Sequence, residues 1–344
     1  MLIGIQKQID DTISTCKTNY KNKIASLFRQ KDPKSAWKGL RQLTGINKKC
    51  PNNVVDNPSV FSNELNNFYA RFDKHNFENE RSNLVALLYN VNNPSPIVTV
   101  NDVLKSLKTI KPGKSAGPDR ISGSLLKLCK EPLSPILCKL FQQSIDSCSI
   151  PVIWKTAEII PVPKKSPPIC NNDYRPVALT SIIMKCFEKI VKNLLCQQVK
   201  QYIDPYQFAY TSNRCVEDAA LCLTDYALKF LDKPNKPSTK HFVKILFVDF
   251  SSAFNTIQSH IMMKKLIDMN VNSKIVLWIN EFLTNRPQYV KCLDTKSEVI
   301  IINTGAPQGC VLSPILFTLY TSDCRCQATN SLLFKYADDT ALVS

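Results

Sequence analysis

The sequence predicts an α+β fold, and three observations carry that expectation. Apolar residues recur at three- and four-residue spacing over Ser181 to Lys200 and Cys215 to Phe230, which is helical periodicity. Residues 242–250, FVKILFVDF, are β-branched and aromatic, and read as a buried-type strand ending in Asp249. Residues 332–344, LLFKYADDTALVS, set two apolar runs either side of Ala-Asp-Asp, a β-hairpin that carries Asp338 and Asp339 at its turn.

Composition narrows the class. With 344 residues there is room for two or three compact units, and a net charge of +16 suits a polyanionic partner, nucleic acid before acidic lipid. No stretch is long and apolar enough to span a bilayer, and Met1-Leu2-Ile3-Gly4 runs into Gln, Lys and Asp rather than a signal sequence, so an intracellular soluble chain is expected. The 14 cysteines are scattered; Cys324 and Cys326 flank Arg325 too closely for a zinc half-site, and reduced, mostly buried thiols are the expectation. His75, His241 and His260 do not cluster, which removes support for a histidine-based hydrolase.

Residues 1–95 read as a basic, helical N-terminal extension. Cations around Trp37 in the stretch 31–49 suit either a phosphate backbone or a solvated helix with one buried ring. Phe61, Leu65, Phe68 and Phe72 share one helical face, the pattern of a helix docked on a core, and Asn93-Pro94-Ser95-Pro96 marks a boundary near 95. A short helix over 101–109 precedes KPGKSAGPDR at 111–120. Its glycines, prolines and the cations Lys111, Lys114 and Arg120 make either a turn or a loop that approaches a phosphate chain.

A helix over 125–145 and a strand over 154–162 lead to a Pro-rich loop bearing Lys164, Lys165 and, in Tyr174-Arg175-Pro176, Arg175. A planar guanidinium with a lysine companion suits a triphosphate, and the residues leave open which lysine serves. A polar linker, 232–240, joins the second long helix to the strand of Asp249. Ile275, Ile279 and Phe282 mark a further helix ending at Asn285-Arg286-Pro287, followed by strands over 288–293 and 298–303. In Ala306-Pro307-Gln308-Gly309, Gln308 can donate and accept hydrogen bonds while Gly309 permits close backbone approach. Ser313 reads as an N-cap with Pro314 at the first position of a helix over 315–321.

Adjacent aspartates at a hairpin tip beside a strand-terminal aspartate build up negative charge, which protons or a divalent metal relieve. Such a trio can hold two Mg²⁺ ions about 3.5–4 Å apart, an arrangement that activates a hydroxyl nucleophile and neutralises a leaving phosphate.

Asp249 with Phe254 five residues later, Ala306-Pro307-Gln308-Gly309 and Tyr336-Ala337-Asp338-Asp339 together resemble the reverse transcriptase domain of non-LTR retrotransposons, of the LINE type with jockey-like and CR1-like relatives. The resemblance covers roughly residues 100–344. It implies a right-hand polymerase fold, with fingers over about 96–215 and 261–304, palm over about 216–260 and 305–344, and a chain that stops ahead of the thumb. Residues 1–95 correspond to the connector of such elements.

The activity it implies is RNA-directed DNA synthesis, with a template RNA, a DNA primer and deoxynucleoside triphosphates as partners and no membrane. Asp249, Asp338 and Asp339 would be catalytic and, with the Phe250 carbonyl, would bind two Mg²⁺, with Mn²⁺ able to substitute; Asp339 acts either as a ligand or by orienting its neighbours. Arg175, Lys164 or Lys165, Phe254, Gln308 and Gly309 would line the nucleotide. At the steric-gate position the Phe254 ring would exclude a 2′-hydroxyl, because a close-packed pocket does not absorb an added oxygen cheaply. Lys111, Lys114, Arg120, Arg214 and Tyr336 would contact nucleic acid, Arg214 standing in for a basic residue that relatives carry where this chain has Thr211. The resemblance further implies a nuclear site of action after cytoplasmic ribonucleoprotein assembly. The alternative is a catalytically inert remnant that binds RNA and DNA through charge alone.

Overall fold

A computed structural model describes residues 2–29, 57–232, 242–250, 252–328 and 331–344. The chain divides into two compact units, Met1–Val55 and Asp56–Ser344. The described residues of the first form a long helix, α1 (Leu2–Arg29); the basic stretch around Trp37 lies outside the described residues.

The second unit begins earlier than the expected boundary near 95. Its first helices are α2 (Pro58–Ala70) and α3 (Glu78–Tyr89). Asn57 caps α2 by accepting the N–H groups of Ser59 and Val60. On the predicted apolar face, Leu65 is fully buried with Ala157, Ile159, Ala178 and Val290 of a β-sheet. Asn66 Nδ2 donates to the Glu298 carbonyl at 2.9 Å, and Asp73 accepts from the Asn303 N–H and the Thr304 hydroxyl. Apolar burial and these long-range hydrogen bonds make 57–95 part of the same body as the rest.

The chain continues through α4 (Val100–Lys108), α5 (Gly123–Leu128), α6 (Lys130–Ser147) and α7 (Val152–Lys155) to β1 (Ala157–Pro163) and β2 (Tyr174–Leu179). A Thr99–Asp102 capping box starts α4. The single helix expected over 125–145 is broken at Cys129, and a helical turn occupies the start of the strand expected from Trp154. Next come α8 (Ile182–Val199), α9 (Val216–Leu231), β3 (Ile245–Asp249), α10 (Ser259–Asp268), α11 (Ser273–Leu283), β4 (Arg286–Cys292), β5 (Thr295–Lys296) and β6 (Ile300–Ile302). α12 (Ser313–Tyr320), β7 (Leu332–Tyr336) and β8 (Asp339–Val343) follow. The linker over 233–241 lies outside the described residues.

Two sheets result. The larger has the order β2-β1-β4-β5, with β6 also on β4; β1 runs antiparallel to β2 and parallel to β4. The smaller is the antiparallel β3-β8-β7. A largely helical core includes Leu107, Phe141, Phe187, Met262, Trp278 and Leu316, with Phe141 stacked on Phe187 at 4.3 Å and the Trp278 indole donating to Ser144. A separate cluster of Phe208, Phe334, Ala341 and Val343 packs one face of the smaller sheet against Ala219, Leu223 and Tyr226 of α9.

The strand leading to Asp249 is not buried. β3 is an edge, and all of its residues are exposed, Phe247 to 75%. Its apolar composition is that of a two-sided interior strand, but β8 alone pairs with it among the described residues. No described helix is long and apolar enough to cross a membrane.

Candidate active site

The smaller sheet brings the predicted aspartates to one end. Asp249 closes β3 directly across from Asp339, which opens β8 and pairs in turn with Tyr336 at the end of β7. The hairpin turn is therefore Ala337-Asp338, with Ala337 at φ +59°, a left-handed conformation in a two-residue connection. Only Asp338 is in the turn; Asp339 belongs to the strand, a correction to the expectation that both crown it. Strand alternation puts Asp249, Asp339 and Tyr336 on the face that packs against α9, where Asp339 and Tyr336 border a groove with Val216, Leu223 and Phe247.

None of the three carboxylates forms an ion pair among the described residues. An all-oxygen donor set has the chemistry that Mg²⁺ prefers. Among the described residues, however, no three acidic, histidine or cysteine side chains are gathered closely enough to hold a metal ion. Donor type fits the ion, while the side-chain positions do not close round one. Phe250, expected to add a carbonyl ligand, follows β3 and is 38% exposed.

What holds the tip was not singled out in the sequence. Residues 204–210 run beside β7: the Lys335 N–H donates to the Tyr206 carbonyl and the Phe208 N–H to the Lys335 carbonyl, both at 2.9 Å. Gln207, 1% exposed, reaches the turn itself: its Oε1 accepts from the Ala337 N–H at 3.1 Å and its Nε2 donates to the Ala337 carbonyl at 3.4 Å. Asp204 and Lys335 form a buried ion pair at 2.6 Å, and the ammonium also donates to the carbonyls of Thr321 and Cys324. Burial, then the charge of Asp338 and then Tyr336, push the Tyr210 phenol up, which marks its closeness to the turn. The signal available was a glutamine inside the aromatic run Tyr206-Gln207-Phe208, a residue type that seldom enters a core without a hydrogen-bonding task.

The Ala306–Gly309 loop is tied to the stretch after β3. Phe254 lies in a short 3₁₀ turn, Ala253–Thr256, its carbonyl accepting from the Ala306 N–H at 2.7 Å and its ring 5.1 Å from that of Phe317 in α12. Arg286, buried at the start of β4, donates to the carbonyls of Leu283, Thr304 and Gly305; burial lowers its pKa to about 10. Gly309 has φ +97°, a conformation that side chains resist, so the loop needs glycine there. Gln308 lines a cleft with Tyr69, Asp73, Pro176, Asn255 and Arg286. Ser313 does not cap α12. Its hydroxyl donates to the Pro307 carbonyl at 2.7 Å, and the N–H groups of Val311 and Leu312, just ahead of the helix, go to the buried Glu188 of α8. Helical spacing puts Glu188 on the face of Met184, Val191 and Leu195, the signal that could have found it.

The expected cations divide sharply. Arg175 is exposed on β2, and its side chain makes no hydrogen bond or ion pair among the described residues. Lys165 is paired with Asp173 at 3.1 Å, and Lys164 donates to the Asn172 carbonyl at 2.7 Å, so both are committed within the β1–β2 loop. Arg120 is also engaged, with the buried Glu158 that Tyr289 shares. Arg214 folds back on the Pro205 carbonyl and lies over the Phe208 ring. Lys111 and Lys114 are exposed in a loop whose Gly117 lies against the Thr180–Ser181 backbone, where a Cβ would come within 2.5 Å. Asp119 there accepts from the Ser181 hydroxyl at 2.6 Å, anchoring the loop to the start of α8.

Comparison with known proteins gives this arrangement a family. The model of the reverse transcriptase (RNA-dependent DNA polymerase) family matches residues 162–344. The probable RNA-directed DNA polymerase from transposon BS of Drosophila melanogaster is 23% identical, over 98% of this chain and 39% of its own length. The RNA-directed DNA polymerase from mobile element jockey of the same species is 24% identical, over 90% of this chain and 36% of its own. The Pol polyprotein from type-1 retrotransposable element R1 of Bradysia coprophila is 26% identical over 72% of this chain and 24% of its own. The chain thus spans well under half the length of these curated relatives. With more than half of its residues, the Asp249 strand and the Asp338 hairpin among them, matched by the family model, the chain belongs to the reverse transcriptase family.

Proposed function

We propose that this chain adds deoxynucleotides to a primer 3′-end on an RNA template, as part of the polymerase of a non-LTR retrotransposon acting in the nucleus. The observation that carries the reading is the register of the smaller sheet: Asp249 faces Asp339 across one ladder position, Asp338 occupies the adjoining turn, and none of the three is in an ion pair among the described residues. In this reading the smaller sheet with α12 is the palm, and the larger sheet belongs to the fingers.

Asp249, Asp338 and Asp339 offer the oxygen donors Mg²⁺ prefers, and once their side chains converge they would hold the ions that supply activation of the primer hydroxyl and charge neutralisation on the leaving pyrophosphate. The chain's own contribution is positioning. Gln207 holds the turn that carries Asp338, Gln308 and the exposed Arg175 offer hydrogen bonds to the incoming nucleotide, and Phe254 sits under the Ala306 peptide where its ring can limit room at the sugar. Lys111 and Lys114, exposed and in no ion pair among the described residues, suit a phosphate backbone.

The test is primer extension on an RNA template with Mg²⁺, by the wild type and by Asp338→Asn, with deoxynucleotides and with ribonucleotides. Extension that disappears in Asp338→Asn and prefers deoxynucleotides supports the reading. The second reading, an inert basic remnant, is favoured by the absence of a closed acidic cluster among the described residues. It predicts RNA binding with a steep salt dependence and no incorporation by the folded protein.

A further inference from the structure

Glu188 is fully buried in α8, and its Oε2 accepts from the N–H of Val311 at 2.5 Å and of Leu312 at 2.9 Å. Leu312 is the N-cap of α12, whose N–H has no intrahelical partner, and Val311 belongs to the loop just ahead of it. The loop they close is compact: the Ser313 hydroxyl and the Cys310 N–H both donate to the Pro307 carbonyl, and Cys310 Sγ lies 3.7 Å from the Thr180 hydroxyl. At the loop's crest are Gln308 and Gly309. The other carboxylate oxygen, Oε1, is buried and accepts no N–H or hydroxyl hydrogen bond among the described residues, with the Cys310 thiol beside the carboxyl. A half-satisfied carboxylate beside Met184, Val191 and Leu195 costs stability, and packing alone has no use for it.

We propose that Glu188 is a positioning residue for the nucleotide site: by anchoring residues 311–312 it fixes where Gln308 and Gly309 stand, and so sets the affinity for the incoming deoxynucleoside triphosphate. The proposal rests on the reading that this loop lines the nucleotide. Two N–H groups held by one buried oxygen tie the loop that carries Gln308 and Gly309 to a long helix of the main core. Removing the carboxylate leaves two buried donors unpaired and lets the loop shift, and displacement of a binding group by about 1 Å is enough to lower turnover efficiency by orders of magnitude.

The experiment compares wild type, Glu188→Gln, Glu188→Ala and Gln308→Ala in primer extension, reading KM and kcat for the nucleotide, with amide hydrogen exchange over 305–313 in its absence. Glu188→Gln keeps an acceptor and is expected within about threefold of the wild-type KM, while Glu188→Ala raises KM about tenfold, changes kcat less, and speeds exchange at Val311 and Leu312. Should Glu188→Ala fail to fold, Glu188→Asp, one methylene too short to reach both donors, gives the same comparison. A raised KM in Gln308→Ala with an unchanged one in Glu188→Ala, or unchanged exchange at Val311 and Leu312, overturns the role of Glu188. An unchanged KM in Gln308→Ala overturns the placement of the loop at the nucleotide, and the proposal with it.

Discussion

The side-chain amide of Gln207 closes on the Ala337 peptide from both sides, accepting its N–H and donating to its carbonyl, one residue before Asp338. The same Oε1 accepts from the Ala209 N–H at 3.1 Å, so one buried oxygen fixes the clamp and the turn together. Gln207→Ala is expected to lower stability by about 1–3 kcal/mol, the cost of leaving buried donors unpaired. It should also lower kcat more than it raises the nucleotide KM, because the turn carries a carboxylate and not a nucleotide contact. Urea unfolding and steady-state primer extension measure the two effects; unchanged kcat in a folded variant would show that the turn keeps its shape unaided.

A second prediction concerns pH. Burial pushes the Glu188 carboxyl from 4.5 up to about 7, against the opposing pull of the Leu312 and Val311 N–H groups, Lys185 and Cys310. The fold therefore favours the protonated form. Its contribution is complete below about pH 4.5, falls as pH rises toward about 7 and is flat beyond, a loss on the order of 3 kcal/mol. Glu188→Gln lacks this dependence. Its stability relative to wild type should be greater at pH 8 than at pH 5 in urea unfolding, and an equal difference at both pH values contradicts a buried, titrating Glu188.

Much of this was legible in the residues. The long helices α8 and α9 fall within a residue or two of their predicted bounds, because periodicity and turn residues are local signals. The hairpin of β7 and β8 was legible for the same reason. Whether an apolar strand such as β3 has one neighbour or two depends on chain elsewhere, so its edge position and exposure were not. Nor were the partners of Lys165, Arg120 and Arg214, which turn on where Asp173, Glu158 and Phe208 arrive in space. Gln207 and Glu188 hold peptides more than 120 residues away in sequence, and no local pattern names such a partner.

The Asp204–Lys335 pair supplies a third prediction. Both side chains are almost wholly buried, and Lys335 is satisfied by one carboxylate and two carbonyls. Asp204→Ala strands a buried ammonium, and a loss of about 3–5 kcal/mol is expected. Combining Asp204→Leu with Lys335→Met should recover most of it, since two apolar groups need no compensation. Chemical denaturation of the two proteins decides this; a double variant no more stable than Asp204→Ala would mean that the carbonyl contacts, not the charge pair, hold residues 204–210 against β7.

Arg175 was expected at the triphosphate with Lys164 or Lys165 as its companion, and the structure finds the three cations in different states. Lys165 is engaged by Asp173, whose carboxyl is itself held well below the usual range by the Ile169 and Cys170 N–H groups and then by Lys165, so the carboxylate stays ionised as its partner. Arg175 stands exposed with its guanidinium unengaged among the described residues, on the face of β2 opposite to Pro176, which lines the cleft with Gln308. A planar guanidinium free to make two parallel hydrogen bonds to phosphate oxygens should lose them on truncation, so Arg175→Ala is expected to raise the nucleotide KM about tenfold or more. Lys165→Ala should change KM by about twofold at most, as befits an exposed pair. Steady-state KM values for the two variants measure the contrast, and a larger effect at Lys165 would mean that the β1–β2 loop reorganises when nucleotide binds, releasing the lysine from Asp173.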